Sequence, residues 1–223
     1  MTVITMSRQI GSGAAEVANK LGEELGLVTF DKRLMLRVAT EVGLSDEEIF
    51  DYSEEQYKAR GFLERLFSRN RPVAEVSTWT GGREGGYERE VSTMDEQQAI
   101  ALTRTAIRAA YERGNVLIVG RGSQVVLEDK PNVVHLRLVA PFEARVEYLE
   151  AEENMTPAQA RRYIQEQDRA MADYMRQFYN ADVDDPTLYH MVLNVAKLGV
   201  KGCVSLIKAM TEMEEIESQA TET

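Results

Sequence analysis

VITMSRQIGSG, residues 3–13, is the stretch that decides the fold. Val3 and Ile4, with Thr2 and Thr5 beside them, read as a short buried strand, and Gly11 and Gly13 break it. Beyond the glycines, Val17, Ala18, Leu21 and Leu25 recur at the spacing of one helix face. Strand, glycine turn and helix form a unit in which backbone N–H groups converge on an anion at the helix N-terminus. A plain tight turn between strand and helix is the alternative that the short pattern leaves open.

Working outward, Gly26 closes that helix and 27–30 reads as a second strand running into Asp31. Residues 32–42 have helical periodicity, 44–71 suggest short charged helices, and the glycines at 81, 82, 85 and 86 make 72–91 read as a flexible loop. Residues 44–92 are therefore expected to form a mobile insert. A helix over 94–113 leads into VLIV at 116–119, a continuous apolar run of the kind buried on both faces of a parallel sheet. Further strands are expected at 133–139 and 189–195, and further helices at 142–152, 157–179 and 201–213. Residues 215–223 are expected to form an acidic, disordered tail. Five strands alternating with helices predict a single three-layer α/β domain over 1–214, with a parallel sheet covered on both faces.

The bulk numbers agree with such a domain and narrow its partners. Of the 223 residues, 43% are hydrophobic and 28% charged, so a core can form without disulfides. One cysteine, Cys203, and two histidines, His135 and His190, leave no disulfide framework and no Cys-based zinc cluster. The net charge of −11 argues against a nucleic-acid polymer or a membrane surface as partner, so any anion site must be local. The amino-terminal residues lack a basic stretch ahead of an apolar one, and no apolar run nears the ~20 residues of a membrane span, so a cytoplasmic protein is expected.

In a doubly wound sheet, ligands bind beyond the carboxyl ends of the strands. That places Ser7, Arg8, Gly11, Ser12, Gly13 and Ala14 at the mouth of a candidate phosphate site. The loop departs from the usual Walker pattern, because Ala14 stands where its lysine belongs and Ala15 where its hydroxyl residue belongs. Arg8 and Ser7 are candidates to supply a charge and a hydroxyl from the other side of the turn. Arg121, between Gly120 and Gly122 after the 116–119 strand, is well placed for a ligand and poorly placed for a core. Arg162, Arg169 and Arg176 are spaced by seven and share a helix face. They either clamp phosphates or form a solvated face paired with Glu166, Asp168 and Asp173. His135, inside an apolar run, reads as a structural histidine, Asp184-Asp185 before Pro186 as a turn or cap, and Cys203 as a small buried hydrophobe.

Four segments, ITMSRQIGSG, VLIVGRGSQVVL, VVHLRLVAPFEARVEYL and DDPTLYHMVLNVAKLG, in this order and spacing resemble the cytidylate kinase-like family of P-loop proteins. The resemblance implies a nucleoside monophosphate kinase fold that uses ATP and Mg2+, with 44–92 as an acceptor-side insert and 145–180 as the arm of an arginine-rich lid over ATP. It implies Ser12 and Gly13 at the donor phosphates, Asp31 and Arg33 facing the acceptor nucleotide, and Arg121 at the acceptor phosphate. It also favours a role for Arg169 and Arg176 in transfer, while Arg162 is a candidate beside the donor nucleotide for which the solvated face is an equal alternative.

The expected function is thus ATP-dependent phosphorylation of a small acceptor, such as CMP. A nucleotide-binding regulatory or interaction protein that has lost catalysis is the alternative motivated by Ala14 and Ala15. A dinucleotide-binding dehydrogenase fits poorly, because Glu16 occupies the third glycine position of that fingerprint.

Overall fold

Strand β1, Val3–Arg8, is the middle of a five-stranded parallel sheet and is buried at each of its first five positions. The computed structural model describes residues 2–30, 74–80, 88–94 and 96–221. The chain falls into two compact units, Met1–Phe30 with Ala110–Thr223, and Asp31–Ala109.

In the first unit, β1 is followed by helix α1, Ala14–Leu25, and strand β2, Val28–Phe30. Gly26, at φ 63°, stops α1 in a left-handed cap and returns its N–H to the Gly22 carbonyl. Strand β5 (Val116–Val119), the short helix α3 (Ser123–Val126) and strand β6 (Val133–Val139) come next. Helices α4, Phe142–Glu153, and α5, Pro157–Tyr179, then form a hairpin. A 3-10 turn at Pro186–Leu188, strand β7 (Met191–Asn194) and helix α6 (Val195–Thr221) close the unit.

The sheet order is β2-β5-β1-β6-β7, with β1 paired to β5 from Val3↔Val116 and to β6 from Val3↔Val133. The chain leaves β1 toward β2 on one side and leaves β6 toward β7 on the other, so a topological switch lies between β1 and β6. Val3, Ile4, Met6, Leu117, Ile118, Leu136 and Leu138 are essentially inaccessible, as strands covered on both faces must be. Each such side chain contributes roughly 1.5–3 kcal/mol by leaving water. On one face α1 and α6 share a core of Val17, Leu21, Val195, Val204 and Ile207, with the Lys208 ammonium donating to Glu24 at 2.8 Å across the same pair.

In the second unit, strands β3 (Ala74–Thr80) and β4 (Glu88–Met94) form an antiparallel hairpin in register Ala74↔Met94 to Thr80↔Glu88. This corrects the expected flexible loop over 72–91. Val76, Thr78 and Thr80 alternate on one strand and Val91 and Thr93 on the other, a β pattern that the flanking glycines obscured. Helix α2, Glu96–Arg113, follows β4 in the chain, and Thr103, Ala106, Ile107 and Ala110 are among its buried residues. The expected helices over 32–42 and 44–71 lie outside the described residues. Helix α6 continues to Thr221, past the start of the predicted tail, because Glu, Met and Ala are good helix formers. It kinks at Gly199, whose φ of 67° is not helical.

Candidate phosphate-binding site

Beyond Arg8 the chain crosses to the neighbouring strand: the Gln9 N–H donates to Leu138 O at 3.0 Å, and the Ala140 N–H donates to Gln9 Oε1 at 3.1 Å. The Ser12 N–H then closes a turn on Gln9 O at 3.3 Å. Gly11 and Gly13 take φ of 73° and 77°, where a side chain is strained. A Cβ on Gly11 would also stand 2.8 Å from the Arg145 carbonyl oxygen. Gly13 caps α1 without a side-chain bond, so the first N–H groups of the helix lie at the loop, next to the switch crevice. Ser12 is 5% exposed, and its buried hydroxyl has no hydrogen-bond partner among the described residues. An orphaned hydroxyl beside the first amides of a helix, which have no partner within the helix, fits an anion with several acceptor oxygens. Ala14, 3% exposed, packs into the core instead of facing a ligand, while Ala15 is exposed. Tyr148 borders the loop, its OH donating to Glu16 at 3.1 Å; burial first, then Glu16, pushes the phenol up to about 12.

Strand β5 delivers the second turn. Gly120, Arg121 and Gly122 have φ of 77°, 61° and 69°, three left-handed residues in succession. For Arg121 that conformation costs on the order of 1–2 kcal/mol, which the surroundings must offset. The Gly120 N–H donates to Met6 O at 3.0 Å, and the Tyr179 hydroxyl donates to Arg121 O at 2.9 Å. The Arg121 guanidinium lies 5.3 Å from the ring centre of Phe30, the last residue before Asp31. Asp31 and Arg33 themselves lie outside the described residues.

Beneath the switch point runs a polar network that the sequence did not suggest. Arg137 on β6, 4% exposed, donates to Ser7 Oγ at 2.9 Å and to Asp184 Oδ1 at 2.5 Å, and its guanidinium sits 5.9 Å from the Tyr189 ring centre. The Tyr189 hydroxyl donates to Val183 O at 2.9 Å and accepts from Gln124 Nε2 at 3.3 Å. Burial raises the Tyr189 pKa against the opposing pull of Ser7 and Arg137. Ser7, placed at the mouth of the site by sequence, is thus buried and engaged by Arg137. Asp185 accepts from the Thr187 N–H at 2.9 Å, a cap as expected, whereas Asp184 is the partner of Arg137.

The arginines of the α4–α5 hairpin separate into two groups. Arg145, 3% exposed, is buried between the loop and α5: its Nε donates to Ile10 O at 2.7 Å and its two Nη groups donate to both Asp168 oxygens at 2.9 and 2.7 Å. Arg161 pairs with Glu143, and Arg162 pairs with Glu166 at 2.7 Å, one turn along the exposed face. Arg169 and Arg176 share that exposed face, and neither has a side-chain partner among the described residues. Arg8, half-buried at the end of β1, acts electrostatically on the Tyr163 hydroxyl, countering the burial that raises it. Among the described residues no three His, Cys, Asp or Glu side chains cluster to hold a metal. His135 is structural: it shares a 2.7 Å hydrogen bond with Thr5 and stacks 5.2 Å from His190. Burial first, and then His190, depresses it to about 4.

The profile of the cytidylate kinase-like family matches residues 3–197. A cytidylate kinase of Methanopyrus kandleri is 24% identical over 216 residues, spanning 93% of this chain and 91% of that protein. One from Pyrococcus horikoshii is 26% identical over 208 residues, spanning 93% and 86%. A solved structure of a protein from Eubacterium ventriosum superposes with a TM-score of 0.65 at 19% identity, over 95% of this chain and 98% of the other. A gluconokinase from Sinorhizobium meliloti does so at 0.51 with 11% identity, over 97% of each chain. These structural likenesses speak to the fold alone. No helix among the described residues is long and apolar enough to cross a membrane.

Proposed function

The chain belongs to the cytidylate kinase-like family, and from that premise we propose that it transfers a phosphoryl group from ATP to a small acceptor, a nucleoside monophosphate such as CMP. The observation that carries this reading is the pair of glycine turns at the carboxyl ends of the adjacent strands β1 and β5. The first holds open helix amides and the orphaned Ser12 hydroxyl, and the second holds Arg121.

Phosphoryl transfer asks a protein mainly for positioning and charge neutralisation. The amides around Gly11, Ser12, Gly13 and Ala14 hold the donor phosphates, with Ser7 shaping the turn from below and Arg162 flanking the nucleotide. Arg121 takes the acceptor phosphate, and Asp31 and Arg33 recognise the acceptor nucleotide. Arg8, Arg169 and Arg176 supply the positive charge that Ala14 does not. Mg2+ brought in with ATP would add charge neutralisation to that of these residues. A panel of nucleoside monophosphates assayed with ATP and Mg2+ tests the proposal; turnover of CMP or a close relative is expected, and no turnover of any acceptor overturns it.

A second reading is supported by the same loop. Ala14 is packed into the core and Ala15 carries no hydroxyl, so a protein that binds nucleotide without transferring phosphate fits these two residues. Calorimetry detecting ATP binding in a preparation with no transferase activity favours it.

A further inference from the structure

We infer that Arg145 and Asp168 position the phosphate loop, holding the Ile10 carbonyl out of the anion cradle. An anion site made of backbone amides works only if the intervening carbonyls point elsewhere, since each carbonyl oxygen carries a partial negative charge. Ile10 lies immediately before the glycine turn, and its carbonyl is taken by Arg145 Nε at 2.7 Å. The main chain of Arg145 reaches the same turn, because its carbonyl oxygen stands where a Cβ of Gly11 would go.

A buried guanidinium must be charge-compensated, and here the compensation comes from α5. Asp168 accepts both Nη groups in a two-pronged pair, which fixes the plane of the guanidinium and so the direction of Nε. The Ile10 side chain packs on the cluster formed by Val146, Leu149, Ala160 and Ile164. The loop is therefore mounted on the α4–α5 hairpin as well as on β1, and a shift of α5 reaches the loop through one ion pair. Arg145 acts through Ile10 and is a positioning residue, distinct from the charge-supplying arginines. A lysine in its place can donate to the carbonyl or to the carboxylate but cannot hold the planar three-bond arrangement.

The inference rests on the phosphate-binding reading of residues 9–15. The test uses the full chain as wild type, Asp168→Asn, Arg145→Lys and Arg145→Met, with Glu143→Gln as control. That control weakens the exposed Arg161 pair between the same two helices and leaves the loop untouched. The measurements are amide hydrogen exchange of peptides covering 9–15, calorimetry with inorganic tripolyphosphate, and thermal unfolding. In Asp168→Asn and Arg145→Lys the loop peptides are expected to exchange about 10-fold faster and tripolyphosphate to bind about 10-fold more weakly, with core peptides unchanged. Glu143→Gln is expected to leave both within about two-fold. Unchanged loop exchange in folded Asp168→Asn and Arg145→Lys overturns the inference, as does faster exchange shared equally by the core strands. If the wild type binds no tripolyphosphate, the phosphate reading fails while loop exchange still decides the positioning role. Should Arg145→Met not fold, the two gentler variants carry the result.

Discussion

The Tyr179 hydroxyl donates to the Arg121 carbonyl at 2.9 Å, and its ring fills the space where a Cβ on Gly122 would project, with Cζ at 2.6 Å. The end of α5 thus clamps the turn that presents Arg121, and Gly122 is the residue that lets the ring approach.

Gly122→Ala combines a clash with a φ of 69°, so it is expected to cost about 2–4 kcal/mol in denaturant unfolding. Tyr179→Phe keeps the ring and loses one hydrogen bond, for about 1 kcal/mol. Equal midpoints for Gly122→Ala and wild type would contradict this packing.

Arg137 is nearly inaccessible, whereas the Asp184 side chain is 69% exposed. Asp184→Asn leaves the buried guanidinium with a weaker partner and is expected to destabilise by about 1–2 kcal/mol, after discounting for solvent around the carboxylate. Arg137→Met relieves the buried charge and is expected to cost no more than Asp184→Asn in urea unfolding. A larger loss in the methionine variant would show that the Ser7 bond matters more than the ion pair.

His135 has a folded pKa of about 4, below its ordinary value of 6.5. Above pH 6.5 it is neutral in both states and contributes no pH dependence. As pH falls from 6.5 toward 4 the unfolded chain binds a proton that the folded one refuses, so stability declines, by roughly 3 kcal/mol at most. An NMR titration should place the His135 midpoint near 4, and His135→Asn should flatten the decline of unfolding free energy over this window. A midpoint near 6.5 refutes the assignment.

Arg162→Ala removes an exposed i,i+4 pair with Glu166 and should change stability by less than about 0.5 kcal/mol. Under the kinase reading Arg8→Ala should lower kcat by about 100-fold or more, because it removes charge from the transferring group. Urea unfolding of Arg162→Ala checks the first expectation and steady-state rates of Arg8→Ala beside wild type check the second, and full activity in Arg8→Ala would move the missing charge to Arg169 or Arg176.

The strand–glycine–helix unit at 3–25 was legible because every signal in it is local: burial periodicity, two glycines and a helix face. The same holds for 116–119, 133–139 and 157–179, where period and length identify the element. The β3–β4 hairpin was hidden because its glycine-rich surroundings outweighed a short alternation of Val and Thr. Among site residues, the glycines and Arg121 announced themselves by chain context. Arg137 and Tyr179 did not, since a charged residue in an apolar strand and a tyrosine at a helix end carry no local mark of their partners.

What this sequence determines by itself is therefore the strand–glycine–helix unit, the parallel α/β class and the family, all of which follow from the order of short-range patterns along the chain. Only the tertiary structure decides which arginines remain available to a ligand. Arg145 and Arg137 meet Asp168 and Asp184 because the sheet order and the α4–α5 hairpin bring together residues 23 and 47 positions apart. Guanidinium groups buried against carboxylates hold the architecture, and those left on the exposed face of α5 are available to carry charge to a phosphate.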